Sequence, residues 1–254
     1  MKPHFKQIVI VLITTILSSC SSESAMPDQS TTPPVVTTPP TQVPTTPIAK
    51  SINYLALGDS YTIGQSVCET CRFPEQLKST LNSVYPQTSF YLKVIATTGW
   101  TTFNLLSGIN NQNLEPNYDL VTLLIGVNNQ FQGREFSAYE KEFPELVTKS
   151  IALAKGDKKN VVVLSIPDYT YTPYGSNVAK DQMSKITSEI NKYNDFAETY
   201  CKNNGVVFVS ITDITRQGLV SPSLVASDGL HPSAAAYALF VDRILPKLKT
   251  ALQE

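Results

Sequence analysis

Residues Leu55–Gly64 read LALGDSYTIG, an apolar run from Ile52 that breaks at Gly58 into an aspartate and a serine. Leu55, Ala56 and Leu57 have the character of a buried strand end, Gly58 allows a tight backbone, and the residues beyond turn towards a helix. Ser60 at that place has two readings. It can cap the helix, since serine and aspartate are favoured there. It can also be a nucleophile at the carboxyl end of a strand, where open α/β sheets gather their ligands. The rest of the chain decides between them.

Four further strand-like runs follow, at Phe90–Ala96, Asp119–Gly126, Asn160–Pro167 and Gly205–Ile211, all short and rich in β-branched or aromatic residues. Helical patterns cover Pro74–Val84, Ala138–Ala154, Val178–Asn203 and Ala234–Leu252. In the third, Ile186, Ile190, Tyr193, Ala197 and Cys201 recur at helical spacing and mark a core-facing stripe. Alternating strands and helices, with strands apolar on both faces, predict a three-layer α/β/α sandwich around a mostly parallel five-stranded sheet. With parallel strands, four loops share one rim. These are Gly58-Asp59-Ser60, TTGW with Gly99 and Trp100, GVNN with Asn128, and PDYTYTPYG from Pro167 to Gly175.

Ahead of this domain, Lys2 and Lys6 precede an apolar run from Ile8 to Leu17, followed by LSSC at Leu17–Cys20. That is the layout of an export signal, and the run is too short for a bilayer span of about 20 residues. LSSC resembles a bacterial lipoprotein box, which implies that Cys20 becomes the acylated first residue of the mature chain. Ser21 is not the aspartate that holds lipoproteins at an inner membrane, so attachment at the outer membrane or cell surface is expected. Ser30–Pro47, STTPPVVTTPPTQVPTTP, is an extended Thr/Pro spacer with no apolar period from which to build a core. The chain thus divides into residues 1–19 as signal peptide, 20–50 as acylated cysteine plus linker, and 51–254 as the folded domain. A net charge of −1 with 16% charged residues disfavours a nucleic-acid-binding role, since phosphate contacts need clustered Lys and Arg.

Near the end comes ASDGLHPSAAAY, Ala226–Tyr237, where Asp228 and His231 lie three apart around Gly229 and Pro232 opens the final helix. The other histidine, His4, leaves with the signal peptide, so the mature chain keeps one imidazole and it sits beside a carboxylate. GDSYT, TTGWTT, GVNN and DGLHP, in this order, resemble the conserved blocks of the SGNH hydrolases, the GDSL esterase/lipase family. Four blocks in order, each at a strand end or turn, make the resemblance specific, and it spans the domain from Ile52 to the final helix. It implies a flavodoxin-like fold, Ser60 as nucleophile, His231 as general base and Asp228 as the group that orients it. It also implies an oxyanion hole made by the backbone N–H groups of Ser60 and Gly99 and the side-chain amide of Asn128. The chemistry suits these residue types, because a serine hydroxyl needs a base and each aimed donor is worth about 3–4 kcal/mol to a tetrahedral oxyanion. Two positions depart from the family pattern: Asn129 stands where an aspartate is frequent, a loop-supporting place, and Tyr61 where the family name implies leucine.

Cys68 and Cys71 form a CxxC motif. Redox catalysis would want the strand-to-helix turn that Ser60 occupies, and a zinc site would need a second pair of ligands. A local disulfide is the expectation, with no metal and no cofactor. Cys201, on the apolar stripe, is expected as a buried free thiol. Trp100, Phe131, Tyr169, Tyr171 and Tyr174 fall in rim loops, and Trp100 and Tyr169 are the expected substrate contacts. The expected activity is hydrolysis of an acylated glycan, a lysophospholipid or another short acyl ester. Transfer of the acyl group to a sugar hydroxyl and a non-catalytic glycan-binding lipoprotein are the alternatives.

Overall fold

The structure, a computed structural model, describes residues 51–251. The signal peptide, His4, Cys20 and the Thr/Pro linker lie outside the described residues.

The sheet has five strands, β1 (Ser51–Gly58), β2 (Ser89–Ala96), β3 (Leu120–Leu124), β4 (Val161–Leu164) and β5 (Val207–Val209), in the order β2-β1-β3-β4-β5. Every pairing is parallel. The central strands β3 (LVTLL) and β4 (VVVL) are buried along their whole length, which is why they read as unbroken apolar runs. Edge strand β2 is only partly covered: Phe90 and Ile95, on opposite faces, are buried, while Tyr91 and Lys93 are exposed. Strands β3, β4 and β5 are shorter than their apolar runs, because the flanking residues already leave the ladder for the loops, whereas β1 and β2 begin one residue ahead of theirs.

Helices α2 (Phe73–Val84) and α9 (Ala234–Ala251) pack together on one face of the sheet; α3 (Thr102–Asn110), α5 (Phe136–Leu153) and α7 (Met183–Asn204) cover the other. Beneath α5 and α7 lies an aromatic cluster in which the rings of Tyr139 and Tyr193 approach to 4.6 Å and those of Tyr139 and Phe143 stack at 5.0 Å. Cys201 is a buried free thiol on α7, within the same core. Four short helices, α1 (Ser60–Ile63), α4 (Val127–Phe131), α6 (Pro173–Ala179) and α8 (Thr212–Thr215), follow β1, β3, β4 and β5 at the carboxyl rim. Gly126 makes one of these exits possible. Its φ is 129°, and a Cβ there would stand 2.6 Å from the Tyr139 ring.

The expected helix Val178–Asn203 is two helices. Thr172 caps α6 by accepting a hydrogen bond from the Gly175 N–H (3.0 Å), and Pro173 occupies its first position. Lys180, with φ 43°, then breaks the run before α7 begins at Met183. Of the five stripe residues, Ile190, Tyr193, Ala197 and Cys201 are buried and Ile186 is only half-buried.

Candidate active site

β1 lies between β2 and β3, so the chain leaves it to one side and returns on the other. That reversal opens a crevice above the carboxyl ends of β1 and β3. Ser60 follows β1 directly and Asn128 follows β3, so both stand at this crevice. Asp59 caps α1, its Oδ1 accepting from the Tyr61 N–H at 3.0 Å. The cap is therefore Asp59, and Ser60 keeps its hydroxyl at the start of the helix.

The second part of the site is the turn between Val225 and Pro232, closed by an antiparallel bridge between those residues and by Ala226 N–H donating to His231 O (2.8 Å). Inside it, Asp228 Oδ1 accepts from the backbone N–H groups of Leu230 (2.9 Å) and His231 (3.0 Å), while Oδ2 pairs with His231 Nδ1 at 2.6 Å. Ser66 Oγ donates to the same Oδ2, also at 2.6 Å. Burial pushes the Asp228 carboxyl up, but the bonds from Ser66 and His231 outweigh it and bring the group down to about 2. An ionised Asp228 fixes the tautomer of the ring and leaves Nε2 to take a proton. Tyr61 packs against the imidazole with ring centroids 5.2 Å apart. Tyr174 N–H donates to Gly229 O (2.9 Å), tying the loop after β4 to the histidine turn.

Ser60, Gly99, Asn128 and His231 all line one cleft of about 300 Å³, walled by Phe131, Tyr169, Tyr174 and Leu230. Among the described residues, no hydrogen bond joins Ser60 Oγ to the His231 ring; in unliganded sites such contacts are often loose and tighten with substrate. Gly99 has φ 82°, and a side chain there would project into the open cleft. Asn128 Nδ2 donates to Trp100 O at 3.1 Å and, at the long distance of 3.5 Å, to Asp59 Oδ2. Asn129 is wholly buried; its Oδ1 accepts from Thr102 N–H (2.9 Å) and its Nδ2 donates to Thr102 Oγ1 (2.6 Å). It thereby clamps α4 to the start of α3, the loop-supporting part given to that position. Gln132 Nε2 adds a bond to Gly99 O at 2.8 Å.

The aromatic residues divide unlike the sequence expectation. Trp100 is not among the residues lining the cleft: its indole lies over Gly108 of α3, where an added Cβ would come within 2.4 Å of the ring, and only its carbonyl reaches Asn128. The half-buried ring packs against the core and over the glycine-bearing helix. Tyr169 does line the cleft, as a buried wall donating to Gln130 Oε1 (2.9 Å), and burial pushes its hydroxyl up to about 12. Phe131 and Tyr174 are the exposed rings in the lining. Cys68 and Cys71 are joined in a disulfide, in the loop that carries Ser66.

Asp59 has a property that its capping role does not reveal. Complete burial pushes its carboxyl up to about 7, against the pull of the Tyr61 N–H and the Asn128 amide. With a folded value above the unfolded value of 3.8, the folded chain holds a proton that the unfolded chain releases. The stability this proton gives is full below about 4 and is lost as pH rises through about 7. Asp59→Asn removes the titration, so the melting temperature of the variant relative to wild type should rise between pH 5 and pH 8. Since an amide cannot accept from both Tyr61 and Asn128, the absolute offset between the two proteins carries no information. An offset that is the same at both pH values contradicts the assignment.

The all-parallel sheet of order 2-1-3-4-5 defines a flavodoxin-like three-layer α/β domain, with a serine, an imidazole–carboxylate pair and a side-chain amide gathered at its switch point. Residues 56–239 match the GDSL-like Lipase/Acylhydrolase family, and the chain belongs to that family. No curated protein sequence matches the chain. Among solved structures, the acetylxylan esterase Axe2 from Geobacillus stearothermophilus aligns with TM-score 0.60 at 19% identity, over 78% of this chain and 94% of that one. LAE5, an alpha/beta hydrolase enzyme from the metagenome of Lake Arreo, Spain, aligns with TM-score 0.59 at 20% identity, over 80% and 97%. A member of the lipolytic G-D-S-L family from Veillonella parvula aligns with TM-score 0.57 at 16% identity, over 76% and 96%. At these identities the structures establish the shared fold; the family is one of ester hydrolases.

Proposed function

We propose that the chain hydrolyses carboxylic esters of short acyl groups through a Ser60 acyl-enzyme. His231 Nε2 takes the proton of Ser60 Oγ as the oxygen attacks the ester carbonyl, and returns it to the departing alcohol. The oxyanion formed in each step is held by the Ser60 and Gly99 N–H groups and the Asn128 amide. Water, deprotonated by the same imidazole, then attacks the acyl-enzyme; the acid leaves and Ser60 recovers its proton. The observation that carries this reading is the 2.6 Å pairing of His231 Nδ1 with Asp228 in a cleft shared with Ser60, Gly99 and Asn128. Its walls leave room for a small acyl group beside Phe131 and Tyr174. The acetylxylan esterase among the similar structures is consistent with an acetylated saccharide as substrate.

The test is a series of p-nitrophenyl esters from acetate to decanoate, with a fluorophosphonate probe as inactivator. Hydrolysis should favour the short esters, and the added mass of the probe should fall on the peptide containing Ser60. Labelling elsewhere, or hydrolysis that survives full labelling of Ser60, overturns the assignment.

A further inference from the structure

Past the edge-on pair of Phe131 and Tyr169, whose ring centroids lie 5.4 Å apart, the catalytic cleft adjoins a second cleft of about 490 Å³. Both rings line both clefts. The second lies between the α4–α5 loop and the first turns of α7, with Arg134 and Glu135 on one side and Gln182, Lys185 and Glu189 on the other. Its partition is braced: Tyr169 donates to Gln130 Oε1 (2.9 Å) and Gln130 Nε2 donates to Glu189 Oε2 (2.8 Å). We propose that this second cleft holds the sugar units of an acylated saccharide whose ester lies at Ser60, a specificity site that rests on the esterase reading above.

The lining selects against other occupants. A long acyl chain would strip water from Arg134, Glu135, Lys185 and Glu189 and offer no hydrogen bond in return. Two of the three cations in the lining are matched by acids, Arg134 lying 3.5 Å from Glu142 and Lys185 3.8 Å from Glu189, and the third, Lys192, is drawn onto the Phe136 ring, its Nζ 3.9 Å from the centroid. A neutral saccharide suits both features. Its hydroxyls replace the displaced water at amides and charged heads, and a C–H face lies on the exposed ring of Phe131.

The test compares acetylated xylose, xylobiose and xylotetraose with p-nitrophenyl acetate and p-nitrophenyl decanoate on the wild-type chain and on Gln182→Ala/Lys185→Ala. Wild type should show kcat/KM rising about tenfold or more from acetylated xylose to acetylated xylotetraose, mainly through KM. The double variant should lose most of that gain. If p-nitrophenyl acetate is cleaved but chain length brings no gain, the second cleft is not a sugar site and the esterase reading stands. A gain for decanoate over acetate that the double variant alters assigns the cleft to acyl chains and overturns the proposal. If no ester is cleaved, the reading beneath the proposal falls with it.

A separate observation concerns Ser66. It is not glycine, yet it has φ 66°, and its hydroxyl reaches the Asp228 Oδ2 that also receives His231 Nδ1. The loop around it is held on both sides, by the Cys68–Cys71 disulfide and by Thr98 Oγ1 donating to Gln65 Oε1 (2.7 Å). We infer that Ser66 is a positioning residue, set by the disulfide-closed loop to hold the Asp228 carboxylate against the imidazole. Ser66→Ala should lower kcat by about five- to tenfold with KM unchanged, the loss of one charge-assisted hydrogen bond. The low-field proton resonance of His231 Nδ1–H should move at the same time. Cys68→Ser/Cys71→Ser should lower kcat by the same route, so that combining it with Ser66→Ala adds little. A Ser66→Ala variant with wild-type kcat and an unmoved resonance, or losses that simply multiply, overturns the inference.

Discussion

Ser60→Ala is expected to lower kcat for ester hydrolysis by about 10⁴-fold or more while leaving the melting temperature near that of wild type. Nothing in the fold rests on the hydroxyl: Asp59 supplies the cap of α1, and Ser60 Oγ makes no hydrogen bond among the described residues. The backbone N–H of residue 60 also survives the change, so the proposed oxyanion donors stay in place and only the proposed attacking atom is lost. Turnover of p-nitrophenyl acetate and a thermal melt of both proteins provide the two readouts. A variant that keeps a tenth of the wild-type rate removes Ser60 from the role of nucleophile. A large fall in melting temperature would instead return it to a structural role.

The same stretch shows how far the sequence reaches. LALG was legible as strand because both faces of β1 are covered, and DS was legible as a strand-to-helix turn because capping chemistry is local. The pairing of Asp228 with His231 was equally local, three residues apart in one turn. What stayed hidden depends on distant chain. Ser66 reaches Asp228 across a separation of 162 residues, from a left-handed loop conformation that its residue type does not announce. Tyr61, noted only as a departure from a family name, is the ring against which the imidazole packs. The break at Lys180 defeated a helical period whose buried members lie further along, from Ile190 onward. Helix α3 carries a capping box in which Asn104 stands where glutamate or glutamine is usual, so the start signal at Thr101 passed unread. Trp100 and Phe131 both read as rim-loop residues, but the indole lies over Gly108 while Phe131 ends α4 and lines the cleft.

Asn128→Ala should lower kcat by about 10²–10³-fold with KM little changed, because an oxyanion donor is engaged fully only when charge develops on the carbonyl oxygen. The geometry gives this residue one firm bond, from Nδ2 to Trp100 O at 3.1 Å, and one long bond to Asp59 Oδ2 at 3.5 Å. The firm bond orients the amide, and the hydrogen spent on the long one is cheaply redirected to a transition-state oxygen. Asn128→Asp sharpens the experiment, since it keeps the shape but replaces donors with charge beside buried Asp59. Its kcat should fall at least as far as that of the alanine variant, since the new carboxylate offers no donor to the oxyanion. If either substitution raises KM at unchanged kcat, Asn128 binds the ground state of the ester, and the oxyanion must be held by the Ser60 and Gly99 N–H groups alone.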